Sequence, residues 1–179
     1  MMSADGLLEA VSEATKYFVP KSRWTKFPGA VTVEILREAL CELGFPVSRR
    51  DVFIRGVPVE VDLLIARAGA KPQYGLVYEP DDVQVVFEVK NYGSFCEKGL
   101  SSLKGTFERI RASNSRICCI YVSLKDHETY KWLPTTEKLG SPRTWAYTLF
   151  WIKGSAPPQS TGAWECLLRR LESVRNGEP

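Results

Sequence analysis

The chain has 179 residues, 44% of them hydrophobic and 25% charged, with a formal net charge of +3. That is long enough for a full hydrophobic core and too ordinary in composition for a disordered or collagen-like chain. No apolar run approaches the roughly 20 residues of a membrane span, and the opening MMSADGLLEAVSEATKYF carries Asp5, Glu9 and Glu13 where a secretory signal would be basic, so the expectation is a cytoplasmic protein with no membrane partner.

Apolar residues at Leu7, Leu8, Val11, Ala14 and Phe18 predict a first helix from Asp5 to about Phe18, with Asp5 as its cap. VPKSRWTKFPG then reads as a loop, in which Lys21, Arg23 and Lys26 alternate with Trp24 and Phe27, either as a nucleic-acid-binding arm or as an anchor of aromatics to a core. A second helix from about Val31 to Leu43 has Ile35, Leu36, Ala39, Leu40 and Leu43 as its apolar stripe, Glu34 and Glu38 one turn apart, and Gly44 as its stop. Two strands follow, at about 51–55 and 57–66, joined by a tight connection at Gly56. The long loop GAKPQYGLVYEPDD leads to the strand VQVVFEVK. After it come a third helix marked by Leu100, Leu103, Phe107 and Ile110, the strand RICCIYVSL, the strand PRTWAYTLFWIKG and a C-terminal amphipathic helix along Trp164, Leu167, Leu168 and Leu171. Strand, helix and apolar strand in succession predict a right-handed parallel crossover.

The five cysteines form no C-x-x-C pair and the only histidine is His127, which argues against a zinc site. His127 falls in a polar stretch and reads as exposed, and the tryptophans read as packing residues. Acidic residues crowd between Glu34 and Asp62. The segment from Lys98 to Lys131 is basic, with Lys104, Arg109, Arg111 and Arg116 among its cations. An acidic centre beside a basic flank suits a cation meeting a phosphate chain.

Side chains on a strand alternate between faces. Glu60 and Asp62 therefore share one face of VPVEVDLLI, opposite Val57, Val59, Val61 and Leu63. Glu88 and Lys90 share one face of VQVVFEVK, opposite Val85, Phe87 and Val89. If the two strands are neighbours, Asp62, Glu88 and Lys90 converge, with Glu60 nearby. Two carboxylates suit a hard cation such as Mg²⁺ or Mn²⁺, and a lysine beside them supplies positive charge where a phosphoryl transition state gathers negative charge. The literal Pro80-Asp81 is no part of this group: seven residues before Glu88 on one strand is roughly 20 Å away, and the segment reads as a turn.

VEVDLLIA followed by FEVKNYG resembles the PD-(D/E)XK nucleases, and most closely the Holliday-junction-resolvase and Mrr-like branches. The resemblance implies an α/β, restriction-endonuclease-like αβββαβ core with a central mixed sheet flanked by helices, which matches the predicted order between Val31 and Leu124. It also implies a metal-dependent endonuclease acting on DNA in repair or recombination, with Mg²⁺ or Mn²⁺ as cofactor. Asp62 and Glu88, with the Val89 carbonyl, would hold the metal, and Lys90 would orient or activate the water. A further glutamate of the family falls on Glu34, ten residues before Gly44, with Glu38 as second choice and Glu60 in support. Lys21, Arg23, Lys26, Lys98, Lys104, Arg109 and Arg111 would bind the nucleic acid, and a homodimer would bring two centres to two strands. The chain departs from the family in its long 68–82 loop and in lacking a glutamine after Lys90. The expectation is one domain over 1–179: an N-terminal helix and arm (1–30), the core (31–124) and C-terminal additions (125–179). The rival readings are a catalytically degenerate nucleic-acid-binding module of the same fold and a structural or oligomerisation domain.

Overall fold

The computed structural model of the protein describes residues 2–16, 26–92, 97–127, 139 and 141–177. Helix α1 (Ala4–Lys16) buries Ala4, Leu7 and Val11. Its cap is Ser3, whose Oγ accepts the Gly6 N–H at 3.1 Å; the predicted cap, Asp5, lies in the first turn, where its charge complements the helix dipole. Helix α2 (Lys26–Glu42) starts five residues earlier than its apolar stripe predicts, so KFPGA is helical and not loop. Proline is tolerated there because a first turn has no intrahelical acceptor for its missing N–H. At the other end, Gly44 at φ +81° lets its own N–H reach the Cys41 carbonyl and the Phe45 N–H reach that of Leu40, a paired C-terminal cap. A Cβ at Gly44 meets no atom within 4 Å, so Gly44→Ala is expected to cost only the left-handed backbone term, about 1 kcal/mol, read as a lower urea midpoint at unchanged slope.

The single strand predicted over 57–66 is two. β1 (Val52–Ile54) pairs antiparallel with β2 (Glu60–Val61), and parallel with β4 (Val77–Tyr78), a strand inside the segment predicted as loop. These three form a small sheet of their own, so β1 is outside the central sheet. β3 (Leu63–Ala66) instead joins the five-stranded central sheet, ordered β3-β5-β6-β7-β8. In it β5 (Val83–Tyr92), β6 (Cys118–His127) and β7 (Thr144–Ile152) are parallel, while β3 and β8 (Gln159–Ser160) are antiparallel edges. α3 (Glu97–Ser113) makes the crossover from β5 to β6.

The break at Asp62 also reverses faces. Val57 and Val61 pack in one core with Leu64, whereas Leu63 and Ile65 pack in the other; the predicted shared face of Val61 and Leu63 is wrong because the chain leaves one sheet and enters another between them. One core sets α1, α2 and α4 (Ala163–Arg175) against Leu63, Val85, Phe87, Val89 and Ile120. The other sets α3 and the small sheet against Leu64, Val86, Cys119 and Tyr121. Cys118 and Cys119 are buried one in each core, and burial pushes the Cys118 thiol up to about 12, which leaves it unreactive. On α4, Trp164, Leu167 and Leu171 are buried in the core shared with the sheet, so this apolar side covers the chain's own core. Among the described residues no helix is long and apolar enough to cross a membrane.

Candidate active site

The split between β2 and β3 builds the site. Leu63 pairs with Phe87, and one further step of the antiparallel register sets Asp62 opposite Glu88. The next ladder partner for Val89 would be residue 61, but that residue has turned away into the small sheet. The Asp62 carboxylate takes the vacated place: its Oδ2 accepts the Val89 N–H at 2.6 Å. A strand residue directs its N–H and C=O to the same edge, so the Val89 carbonyl faces the same gap as Asp62.

Glu88 and Lys90 follow on the sheet face that carries Val86 and α3. Lys90 Nζ lies 2.5 Å from Glu88 Oε1. Glu88 and Lys90 from β5 and Asp62 from the break between β2 and β3 are thereby gathered, partly open to solvent. Burial, then the negative charge of Glu88, push the Asp62 carboxyl up to about 6, against the opposing Val89 hydrogen bond and the Lys90 charge; Asp51 adds to the rise. Burial works against the Lys90 charge, but the charge and hydrogen bond of Glu88 and the charge of Asp62 outweigh it and hold the ammonium above its ordinary value. In the metal-free chain Lys90 is thus held as a cation.

Glu34 is placed differently. Its Oε1 accepts from Arg37 Nη2 at 2.6 Å and its Oε2 lies 3.6 Å from Arg50 Nε. The Arg37 hydrogen bond, opposed by burial and helped by the charges of Arg37 and Arg50, holds this carboxyl below the usual range. Glu34 is not among the charges that act on Asp62, which are Glu88, Lys90 and Asp51. Glu38 is exposed, 4.0 Å from Arg37, and Glu60 is exposed on β2 opposite Phe53; neither joins the group. Among the described residues no three His, Cys, Asp or Glu side chains gather as a metal cluster. The donor set present is two carboxylates and a backbone carbonyl, all hard oxygens. It fits one Mg²⁺-type ion that keeps several waters, as Mg²⁺ commonly does, and a half-buried carboxylate raised to about 6 is one that a cation would relieve.

Two neighbours escaped the sequence reading. Asp51, in the left-handed region at φ +59°, donates its N–H to the Asp62 carbonyl at 3.3 Å. Tyr121 lies in register beside Glu88 on β6, and burial raises its hydroxyl. Asp51 left a trace in RRDVFI as an acid directly before a strand; Tyr121 is visible only once β6 is known to lie beside β5. Pro80–Asp82 is a short 3-10 turn, and Asp81 Oδ1 accepts from Asn114 Nδ2 at 3.0 Å, away from the site. His127 is half-buried at the end of β6, its Nε2 3.2 Å from the Gly154 carbonyl.

Of the basic residues, Lys104 and Arg109 are exposed on α3, while Arg111 is half-buried and donates to the Ser115 carbonyl at 3.2 Å. Lys21 and Arg23 lie outside the described residues, as do the side chains of Lys26 and Lys98.

No protein-family model matches the chain, and no curated protein matches it. Among solved structures, NucC from P. aeruginosa ATCC27853 in its cAAA-bound form superposes with a TM-score of 0.60 at 9% identity, over 96% of this chain and 87% of NucC. The likeness shows the fold: the chain has the restriction-endonuclease-like architecture, a mixed α/β arrangement with two mixed sheets and four helices among the described residues.

Proposed function

We propose that the protein is a metal-dependent nuclease that hydrolyses phosphodiester bonds in DNA. The observation that carries the reading is the group Asp62, Glu88 and Lys90, assembled where β2 and β3 part, in a restriction-endonuclease-like fold. Asp62, Glu88 and the Val89 carbonyl would hold a Mg²⁺ or Mn²⁺ ion, which when bound supplies Lewis acidity and an acidified water. Asp62 keeps one oxygen for this, because Oδ2 is engaged by Val89. Lys90, held charged by Glu88, stabilises the negative charge that grows on the phosphoryl oxygens. Glu34 holds Arg37 and Arg50 and stands outside this group.

The test is cleavage of a panel of linear and branched DNAs with Mg²⁺ or Mn²⁺, together with metal titration by calorimetry. Absence of both cleavage and metal binding would overturn the proposal. Retained DNA affinity without either would favour a second reading, a nucleic-acid-binding module of the same fold. One observation supports that alternative: among the described residues no third carboxylate joins Asp62 and Glu88 as a metal cluster, and Glu34 is engaged by arginines.

Substrate contacts through Lys104, Arg109 and the basic arm release counterions. Affinity is expected to fall steeply between low and moderate salt, and a flat salt profile in filter binding would remove the phosphate contacts from the proposal. An endonuclease that cuts both strands needs two centres, and two-fold pairing supplies them. Light scattering is expected to show a homodimer at micromolar concentration; a monomer, free and with DNA, would exclude it.

A further inference from the structure

Arg67, Arg116 and Arg143 are far apart in sequence, yet the fold brings them to one cavity of about 360 Å³ together with Gln84, Val83 and Val174. Each sits where a strand begins or ends. Arg67 directly follows β3, Arg116 shortly precedes β6, and Arg143 directly precedes β7. Because β3 runs antiparallel to the others, all three fall at the same end of the central sheet. Asp62, Glu88 and Lys90 lie towards the other end: Gln84 and Glu88 are four residues apart on β5, about 13 Å along an extended chain.

No acidic side chain lines the cavity, and none of the three guanidinium groups forms an ion pair among the described residues. Arg67 Nε donates to the Asp81 carbonyl at 2.7 Å, which aims its fork and leaves the terminal nitrogens free for another acceptor. Arg143 is held in the left-handed region at φ +59°, and its Nε is buried with no hydrogen-bond partner among the described residues. A guanidinium with a buried, unmatched nitrogen beside two others is costly unless an anion completes it. Guanidinium forks match phosphate oxygens two at a time, and the volume is that of a small-molecule site.

We propose that this cavity binds a small phosphate-bearing anion, at a site separate from the catalytic group. A nucleic-acid backbone is the weaker fit, since a duplex laid on the Asp62 end of the sheet leaves the opposite end uncovered. The arginine cavity stands without the nuclease reading, and only the ranking of a nucleic-acid backbone below a small anion rests on it.

The probe is inorganic pyrophosphate, titrated into the metal-free full chain against sodium chloride at matched ionic strength, with binding read by calorimetry and by the melting temperature. Wild type is expected to bind and to melt higher. Arg116→Gln, at an exposed and therefore tolerant position, is expected to bind roughly ten-fold more weakly, and addition of Arg143→Gln to abolish binding. Lys90→Ala is expected to bind as wild type does. No binding by wild type, or equal binding by Arg116→Gln and wild type, overturns the proposal. So does loss of pyrophosphate binding in Lys90→Ala, whose ammonium is the cation an anion would meet at the catalytic end. A variant set that loses duplex affinity while wild type ignores pyrophosphate would assign the arginines to a nucleic-acid backbone instead.

Discussion

Asp62→Ala, Glu88→Ala and Lys90→Ala are each expected to lower single-turnover DNA cleavage by about 10²-fold or more, with circular dichroism and elution volume unchanged. Each variant removes a different element. Asp62→Ala takes away one carboxylate and also leaves the Val89 N–H without its 2.6 Å acceptor. Asp62→Asn separates these effects, because the amide oxygen can still accept from Val89 while the charge is gone; it should be as inactive as alanine if charge is what matters. Glu88→Ala removes the second carboxylate and releases Lys90 from its 2.5 Å contact. Lys90→Ala removes the cation. Since the surrounding acids hold that ammonium above its ordinary value, Lys90 should leave no ionisation of its own in the neutral part of the pH–rate profile. Near-wild-type cleavage by any alanine variant, in a preparation free of contaminating nuclease, would take that residue out of the mechanism.

The sequence carried the pairing of Glu88 with Lys90 because alternation within one strand needs only local geometry. β5 is ten unbroken residues, and Val85, Phe87 and Val89 do face one core while Val86 faces the other. The parallel crossover through α3 was legible for the same kind of reason, as a hydrophobic period that switches from two to three or four and back. What the sequence hid were events between elements. VPVEVDLLI keeps its alternation through Asp62, so nothing local announces that the chain changes sheets there. Yet that change frees the Asp62 side chain to replace a ladder carbonyl. β4 was hidden because Val77–Tyr78 is two residues long and gains its strand partner from β1. Glu34 is engaged first by Arg37, an i,i+3 neighbour that helix periodicity makes legible; its second partner, Arg50, lies sixteen residues away and across a turn, a distance at which charge pairing has no sequence pattern. The three arginines of the anion cavity were illegible for the same reason: only the order of strand ends in the folded sheet brings them together.

The metal-free protein is expected to be more stable as the Asp62→Asn variant than as wild type at pH 8, and the gap is expected to close as pH falls. The Asp62 carboxyl stands at about 6 in the fold against an ordinary 3.8, chiefly through burial and then through Glu88. A raised folded value means that the fold prefers the protonated form. The stabilising contribution of that form is complete below the unfolded value near 3.8 and is lost as pH climbs through about 6. Above that, wild type holds an ionised carboxylate in a place that disfavours it, at a cost of about 3 kcal/mol for a difference of roughly two pH units. The amide of the Asp62→Asn variant cannot ionise and keeps the Val89 hydrogen bond, so the variant escapes the cost at high pH and gains nothing below pH 4. Denaturant midpoints for the two proteins from pH 4 to pH 8, in the presence of a chelator, read the gap directly. Mg²⁺ should then reverse the order at high pH, because an ion that binds only the folded wild type raises its stability in proportion to the logarithm of its concentration and leaves the variant largely unmoved. A wild type that is more stable than Asp62→Asn at pH 8 without metal would show that the carboxylate is satisfied by the protein alone, and would make Asp62 a structural strand cap in place of a metal ligand.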